Sequence, residues 1–431
     1  MKKIIFGAMA AAALLACSKE QVIEQNRAND EIGFSVVAEN QTKAEDVYTS
    51  TNTMEAFTVS ATYTITKNDG STSTSWYFQN DLITKVQNGE NSAWENTTDT
   101  RYWSADGKHD FYAIVNGEMT MAATPAAPTV NFTPKTTVKE QKDLLYAVAA
   151  GQEKSNDPVE LKFRHALSQI QFKAKNTNPN LHVKISGVQV GNIPGEGTFT
   201  YPTKSTNLTT ETVVGEWTYT TPTDYTVTFD EGDEVDVAGN NTSVPLTCTP
   251  EYSMLLIPAE TTAWAPTTGG GNNGEEGEGG ANGGDGGEDD GFGEKGEDPE
   301  PPIPGGSGQE PAPDPFSMSM RRYNTASAGA SDVTGSYLAV KCQIYNVAGT
   351  GYASTDVCIY NGWAMIPAAF DWAQGNKYIY TFVFGEGDFG YNGGNGDTPT
   401  PDEEKVLTSM NYTVKVDDFT DVETEKNMET L

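Results

Sequence analysis

The alternation of apolar and polar residues is clearest from Leu161 to Lys175, LKFRHALSQIQFKAK. Leu161, Phe163 and His165 alternate with Lys162 and Arg164. After Ala166, Ile170 and Phe172 alternate with Gln169, Gln171 and Lys173. A period of two over that length predicts a strand with one buried and one wet face. The turn-rich SNDP precedes it, NTNPN follows it, and a further alternating run covers His182 to Val190. The break before Leu161 predicts a domain boundary there, separating residues 31–157 from 158–431.

Similar short runs fill the rest of the chain. In the first domain they are Ile32 to Val36, Met54 to Thr64, Trp76 to Phe78, Arg101 to Trp103, Phe111 to Val115, Val130 to Phe132 and Leu144 to Ala149. About seven short strands divided by turn residues predict a β-sandwich. The second domain continues after Val190 with Thr198 to Tyr201, Glu216 to Thr220, Tyr225 to Phe229 and Tyr252 to Ile257. It resumes at Met318 to Arg322, Tyr337 to Tyr345, Asp356 to Tyr360, Tyr378 to Phe384 and Met410 to Val416. Helical periodicity is scarce after the N-terminus, so the expected class is all-β, with two sandwiches in tandem.

Composition changes this picture in two places. Residues 267–315 are Gly, Glu, Asp, Asn and Pro with almost no apolar side chain, which predicts a disordered insertion inside the second domain. A shorter low-complexity loop covers Gly385 to Glu404. Asp285, Glu288, Asp289 and Asp290 superficially resemble glycine-rich calcium repeats, but the fixed period and its packing residue are missing, so a weak calcium site stands against a solvated spacer. The formal net charge of -33 repels phosphate backbones and argues against nucleic-acid binding.

Lys2 and Lys3 followed by the apolar run Ile4 to Ala16 predict a signal peptide over residues 1–16. Leu14-Leu15-Ala16-Cys17 resembles a bacterial lipobox, which implies acylation of Cys17 and anchorage in the outer membrane. The alternative is an ordinary signal peptide with a chance cysteine. Residues 17–30 are polar and predict a flexible tether.

Enzyme and metal motifs are absent from the sequence. The three histidines, His109, His165 and His182, lack zinc-ligand spacing, and no cofactor is expected. His165 falls beside Phe163 on an inward face, which predicts a core histidine. Cys342 and Cys358 flank a turn; a hairpin symmetric about Thr350 would bring them together as a disulfide, the alternative being two buried thiols. Cys248 is left over.

DLLYA at Asp143 to Ala147, then VELKFRHALSQIQFKAK, VKISGVQVGN and GEGTF up to Phe199, resemble the core signature of the fimbrillin family. The match covers this stretch well and the remainder by layout only. Fimbrillins are outer-membrane lipoproteins that build pili or sit on them as tip or accessory subunits. The resemblance implies two transthyretin-like β-sandwiches and partnership with other fimbrial subunits. It also implies proteolysis in a loop after the first strand, where this chain has Lys43 and Ala44 in place of the family's Arg-Ala; a solvated loop lysine is the plainer alternative. Loss of that strand leaves unpaired backbone groups and an apolar slot, which a foreign strand can fill. Ile32, Phe34 and Val36 are the residues that would leave it. The final run MNYTVKVDDF resembles the family's last strand, but Thr420 to Leu431 is polar, which favours a tip, anchor or accessory role over chain elongation. A competing expectation is a monomeric glycan-binding lipoprotein that stacks sugars on Trp76, Trp103, Trp264, Trp363 and Trp372, possession of an exposed coplanar set being the discriminating feature. A host or bacterial surface ligand is open under either.

Overall fold

The computed structural model describes residues 30–38, 54–88, 91–208, 213–248, 252–265, 335–348, 351–387, 390–399, 405–407 and 410–418. Among these the chain is all-β, with one 3-10 turn at Val138–Glu140. In chain order the first strands are β1 (Phe34–Ala38), β2 (Ala56–Thr66), β3 (Thr72–Asn88), β4 (Asn91–Asn96) and β5 (Lys108–Val115). Next come β6 (Met119–Thr120), β7 (Thr129–Phe132), β8 (Leu145–Gln152) and β9 (Val159–His165). The middle of the chain forms β10 (Ser168–Asn176), β11 (Leu181–Thr200), β12 (Glu216–Thr228), β13 (Val235–Ala238), β14 (Val244–Pro245) and β15 (Met254–Leu256). The last strands are β16 (Tyr337–Asn346), β17 (Val357–Pro367), β18 (Asn376–Phe384), β19 (Gly390–Asn392), β20 (Lys405–Leu407) and β21 (Met410–Asp418).

Two sandwiches result. The first is one seven-stranded sheet, ordered β1-β9-β8-β5-β2-β3-β4, that curls until β1 approaches β4. Its inner face closes on Phe34, Phe57, Phe111, Phe163, Trp94 and their neighbours. The second packs a five-stranded sheet built on β10 and β18 against a nine-stranded sheet built on β11, β16 and β17. Ile170 and Phe172 of β10 meet Val183, Ile185, Val188 and Val340 in that core. The two β11 segments expected separately are one bent strand of 20 residues, with register shifts after Ile185 and Val190 and again before Gly197. Gly191 lies where a Cβ would stand 2.0 Å from the Tyr337 ring, so only glycine fits.

The structure corrects the expected boundary at 158. Leu161 to Lys175 is two strands that go to different sandwiches. β9 pairs with β1 and β8, and its Val159, Leu161 and Phe163 fill the first core. β10 pairs with β18 and fills the second. Conversely β6 and β7, expected in the first domain, extend the nine-stranded sheet by pairing β7 with the end of β11. Alternation reports which face of a strand is buried; it says nothing about which sheet supplies the partner.

A third apolar cluster joins the two bodies. Tyr112, Ile114, Tyr146 and Val148 on the outer face of β5 and β8 pack against Phe199, Tyr201, Leu255 and Ile257. Tyr201 donates its hydroxyl to the carbonyl of Ala113 at 2.9 Å, and burial raises the phenol well above its ordinary value.

The expected Cys342–Cys358 disulfide is absent; both thiols are free. The register places Cys342 opposite Gly362 and Cys358 opposite Tyr345, so the hairpin axis passes near Tyr352 and not Thr350. Cys342 points into the second core, where burial pushes its thiol far up, and Cys358 is exposed. Of Cys248, Cys342 and Cys358, only Cys358 is expected to alkylate rapidly in the native protein, and Cys342 only after denaturation. Peptide mapping after timed alkylation checks this; rapid labelling of Cys342 would contradict the burial.

Candidate assembly site

β1 is short, but three of the residues alternating along it and just ahead of it enter the core. Ile32, Phe34 and Val36 are 5%, 2% and 6% exposed. The Phe34 ring stands edge-on to Phe111 at 5.7 Å and to Phe57 at 6.3 Å. Phe57 in turn meets Phe163 at 5.3 Å and Trp94 at 5.0 Å. The strand thus caps an aromatic floor built by β2, β4, β5 and β9. Burying three such side chains is worth about 5–9 kcal/mol in transfer terms, an upper figure because unfolded chains are partly compact.

The hydrogen bonding of β1 is one-sided. It pairs with β9 from Phe34↔Val159 to Ala38↔Phe163, in parallel, whereas the other ladders of this sheet are antiparallel. On its other side the described contact is a bridge, Glu31 to Tyr102, just ahead of the strand. There Ile32 N donates to Arg101 O at 2.8 Å, and Trp103 N donates to Asp30 O at 2.7 Å. Lys154 pairs with Asp30 at the surface. β1 can therefore leave by breaking one ladder and one bridge, without parting any other two strands. What remains is the unpaired edge of β9 above an apolar trough, which is the geometry that accepts a replacement strand.

The Arg101–Trp103 segment is itself held from below. Arg101 Nε and Nη2 bond both carboxylate oxygens of Asp81, at 2.7 and 3.1 Å. Asp81 is fully buried and also accepts from Asn96 Nδ2 at 2.7 Å. That bonding raises the Arg101 guanidinium above its ordinary value. Trp103 packs edge-on to Phe111 and to His109. Arg101 and Asp81 escape a sequence reading, because Arg101 lies in a run readable only as a strand and the two are separated by the rest of β3, by β4 and by the loop after it.

A family model described as fimbrillin-like matches residues 22–269. The chain belongs to the fimbrillin-like family. This fimbrillin-like protein is accordingly a fimbria-associated surface protein of structural class, with other fimbrial subunits as its partners. A comparison with curated proteins found no match. Solved structures similar to it include a candidate cell adhesion protein from Parabacteroides distasonis, at 11% identity and TM-score 0.39, covering 92% of this chain and 98% of that one. One from Bacteroides ovatus is 13% identical with TM-score 0.38, covering 92% and 100%. A fimbrial assembly protein from Parabacteroides distasonis is 12% identical with TM-score 0.24, covering 54% and 91%.

Of the residues singled out in the sequence, Ile32, Phe34 and Val36 come together at this site. Cys17, Lys43, Ala44 and the acidic residues Asp285, Glu288, Asp289 and Asp290 lie outside the described residues, as does the 267–315 tract. The tryptophans do not form a sugar platform: Trp103, Trp264, Trp363 and Trp372 are 7%, 4%, 0% and 3% exposed, and Trp76 is half-buried with its indole N–H bonded to Ala122 O. They fill cores and cover sheet faces. His165 is a core residue, its Nδ1 standing 2.5 Å from Asp143 Oδ2. His182 lies against Tyr352 and bonds Asp236 at 2.7 Å.

His109 sits among Tyr63, Tyr77, Trp103 and Phe111 beside the bridge to β1. Burial pushes its imidazole below the ordinary 6.5, outweighing the attraction of Asp110. The folded state therefore binds a proton more weakly than the unfolded chain. Its contribution is complete above 6.5 and is lost as pH falls through that value toward the lower folded one. Acidification from about pH 7.5 to about pH 5 is expected to lower the melting temperature, and His109→Phe to flatten that dependence. Calorimetry across this range checks it; an unchanged pH profile in the variant would assign the loss to other groups.

Proposed function

We propose that this protein is a lipid-anchored subunit of a surface fimbria that joins its neighbour by strand exchange at the β1 slot. The observation that carries this is the placement of β1: a parallel edge strand, buried through Ile32, Phe34 and Val36, with a full ladder on one side only. Cleavage in the 39–53 connection, with Lys43–Ala44 as the candidate bond, would cut β1 from β2 without touching another strand. The slot would then take an extended segment of a second subunit in parallel with β9, with apolar side chains at alternate positions. Acylation at Cys17 would hold the uncut precursor to the outer membrane, and a flexible tether would separate lipid from body. Thr420 to Leu431 has few apolar residues to fill a neighbour's slot, which favours a tip, anchor or accessory position.

The test is gel analysis of native surface material with and without heating, followed by N-terminal sequencing. Heat-labile ladders whose subunits begin at Ala44 are expected. Ladders with an intact Cys17-linked N-terminus would remove the cleavage step, and a monomer under all conditions would remove strand exchange.

A further inference from the structure

The slot is closed by more than its apolar floor. Arg101 has two opposed attachments. Its carbonyl accepts the N–H of Ile32, while its guanidinium grips Asp81 through two nearly parallel bonds. The Asp81 carboxylate is fully buried and gathers three elements: its own β3, the end of β4 through Asn96, and the 97–103 loop through Arg101. Arg101 also lies over the Phe78 ring at 5.2 Å, a second contact for the guanidinium. Among the described residues the loop carrying Arg101 forms no ladder beyond the bridge to Glu31. Beyond the bond from Thr97 N to Leu82 O, its position therefore depends on side-chain anchors, the Tyr77 hydroxyl to the Tyr102 carbonyl and the bidentate Arg101–Asp81 pair among them.

We propose that Asp81 and Arg101 form a latch that sets how readily β1 leaves the first sandwich. They are positioning residues: both act by holding the Arg101 carbonyl and the Trp103 backbone N–H where β1 needs them. With the pair intact, β1 is gripped on both sides at its entry. With the pair broken, the 101–103 segment loses its fixed position and β1 keeps only β9. The inference builds on the strand-exchange reading, since a latch matters to function only if β1 is meant to leave.

Hydrogen–deuterium exchange on the full-length unassembled protein tests the latch without requiring assembly. Asp81→Asn keeps the shape but removes the charge and sets an amide N–H₂ against donors. It is expected to speed exchange at 32–38 about tenfold, with β11 and β16 unchanged. Arg101→Lys keeps the charge without the paired geometry and is expected to give a smaller rise at the same residues. It also carries the test should Asp81→Asn not fold, since the Arg101 side chain is 28% exposed. Unchanged exchange at β1 in the folded variants would overturn the latch. So would an equal rise across β2, β5 and β8, which would show a general loosening. A labelled peptide with the sequence of residues 31–38 supplies a second arm. Faster uptake by the variants supports the latch and strand exchange together. Faster exchange without uptake supports the latch and overturns strand exchange.

Discussion

Replacing Phe34 with alanine is expected to release β1 while the second sandwich stays folded. The Phe34 ring fills the middle of the trough, edge-on to Phe57 and Phe111, and truncating a fully buried phenylalanine costs about 3–5 kcal/mol. Most of that loss falls on the attachment of β1, because among the described residues β1 is bonded along its length to β9 alone. The remaining strands keep their own ladders. Hydrogen exchange should rise first at 32–38 and at the facing edge of β9, and a dye that binds apolar surface should report the opened trough. Equal loss of protection in both sandwiches would mean that β1 is an integral part of one cooperative core and cannot act as an exchangeable strand.

The second large effect is expected at the junction between the sandwiches. Tyr146 of β8 is fully buried, 4.6 Å from the Phe199 ring and 5.9 Å from Tyr201. Its hydroxyl accepts from Gly215 N at 3.2 Å and meets Gln374 at 3.3 Å, while Gln374 Nε2 returns to Gly215 O at 2.6 Å. Tyr146→Ala removes the packing and strands these polar groups, a loss of about 3–5 kcal/mol. Because Tyr146 faces the third cluster and not the first core, the cost falls on the coupling. Calorimetry should then resolve two melting transitions in place of a coupled one. Tyr146→Phe keeps the ring and should cost only about 1 kcal/mol. A wild-type protein that already melts in two well-separated steps would show that the junction contributes little.

Much of the fold is local and could be read from the chain. Alternation at Ile32, Phe34 and Val36, at Leu161 and Phe163, and at Ile170 and Phe172 assigns an inward face, and all seven residues are buried. The same rule places His165 inside. The cysteine pairing failed because a hairpin's register depends on where its turn falls, and a displacement of two residues in the axis sends Cys342 inward and leaves Cys358 in solvent. The tryptophans could not be sorted by sequence, since a ring that stacks a sugar and a ring that covers a sheet have the same neighbours along the chain.

By itself the sequence determined that this is a turn-rich, all-β, strongly acidic chain with an alternating first strand and a family signature around β9 and β10. Tertiary structure alone decided that these two adjacent strands serve different sandwiches, that β1 lies parallel to β9, and that Asp81 reaches Arg101 beneath it. The reason is the range of the forces involved. The face a side chain turns to water repeats every second residue and is written locally. The choice of sheet partner for β1 and β10 is settled by hydrogen bonds and packing with segments more than a hundred residues away, where loop closure and the total core, and not any local pattern, select the pairing.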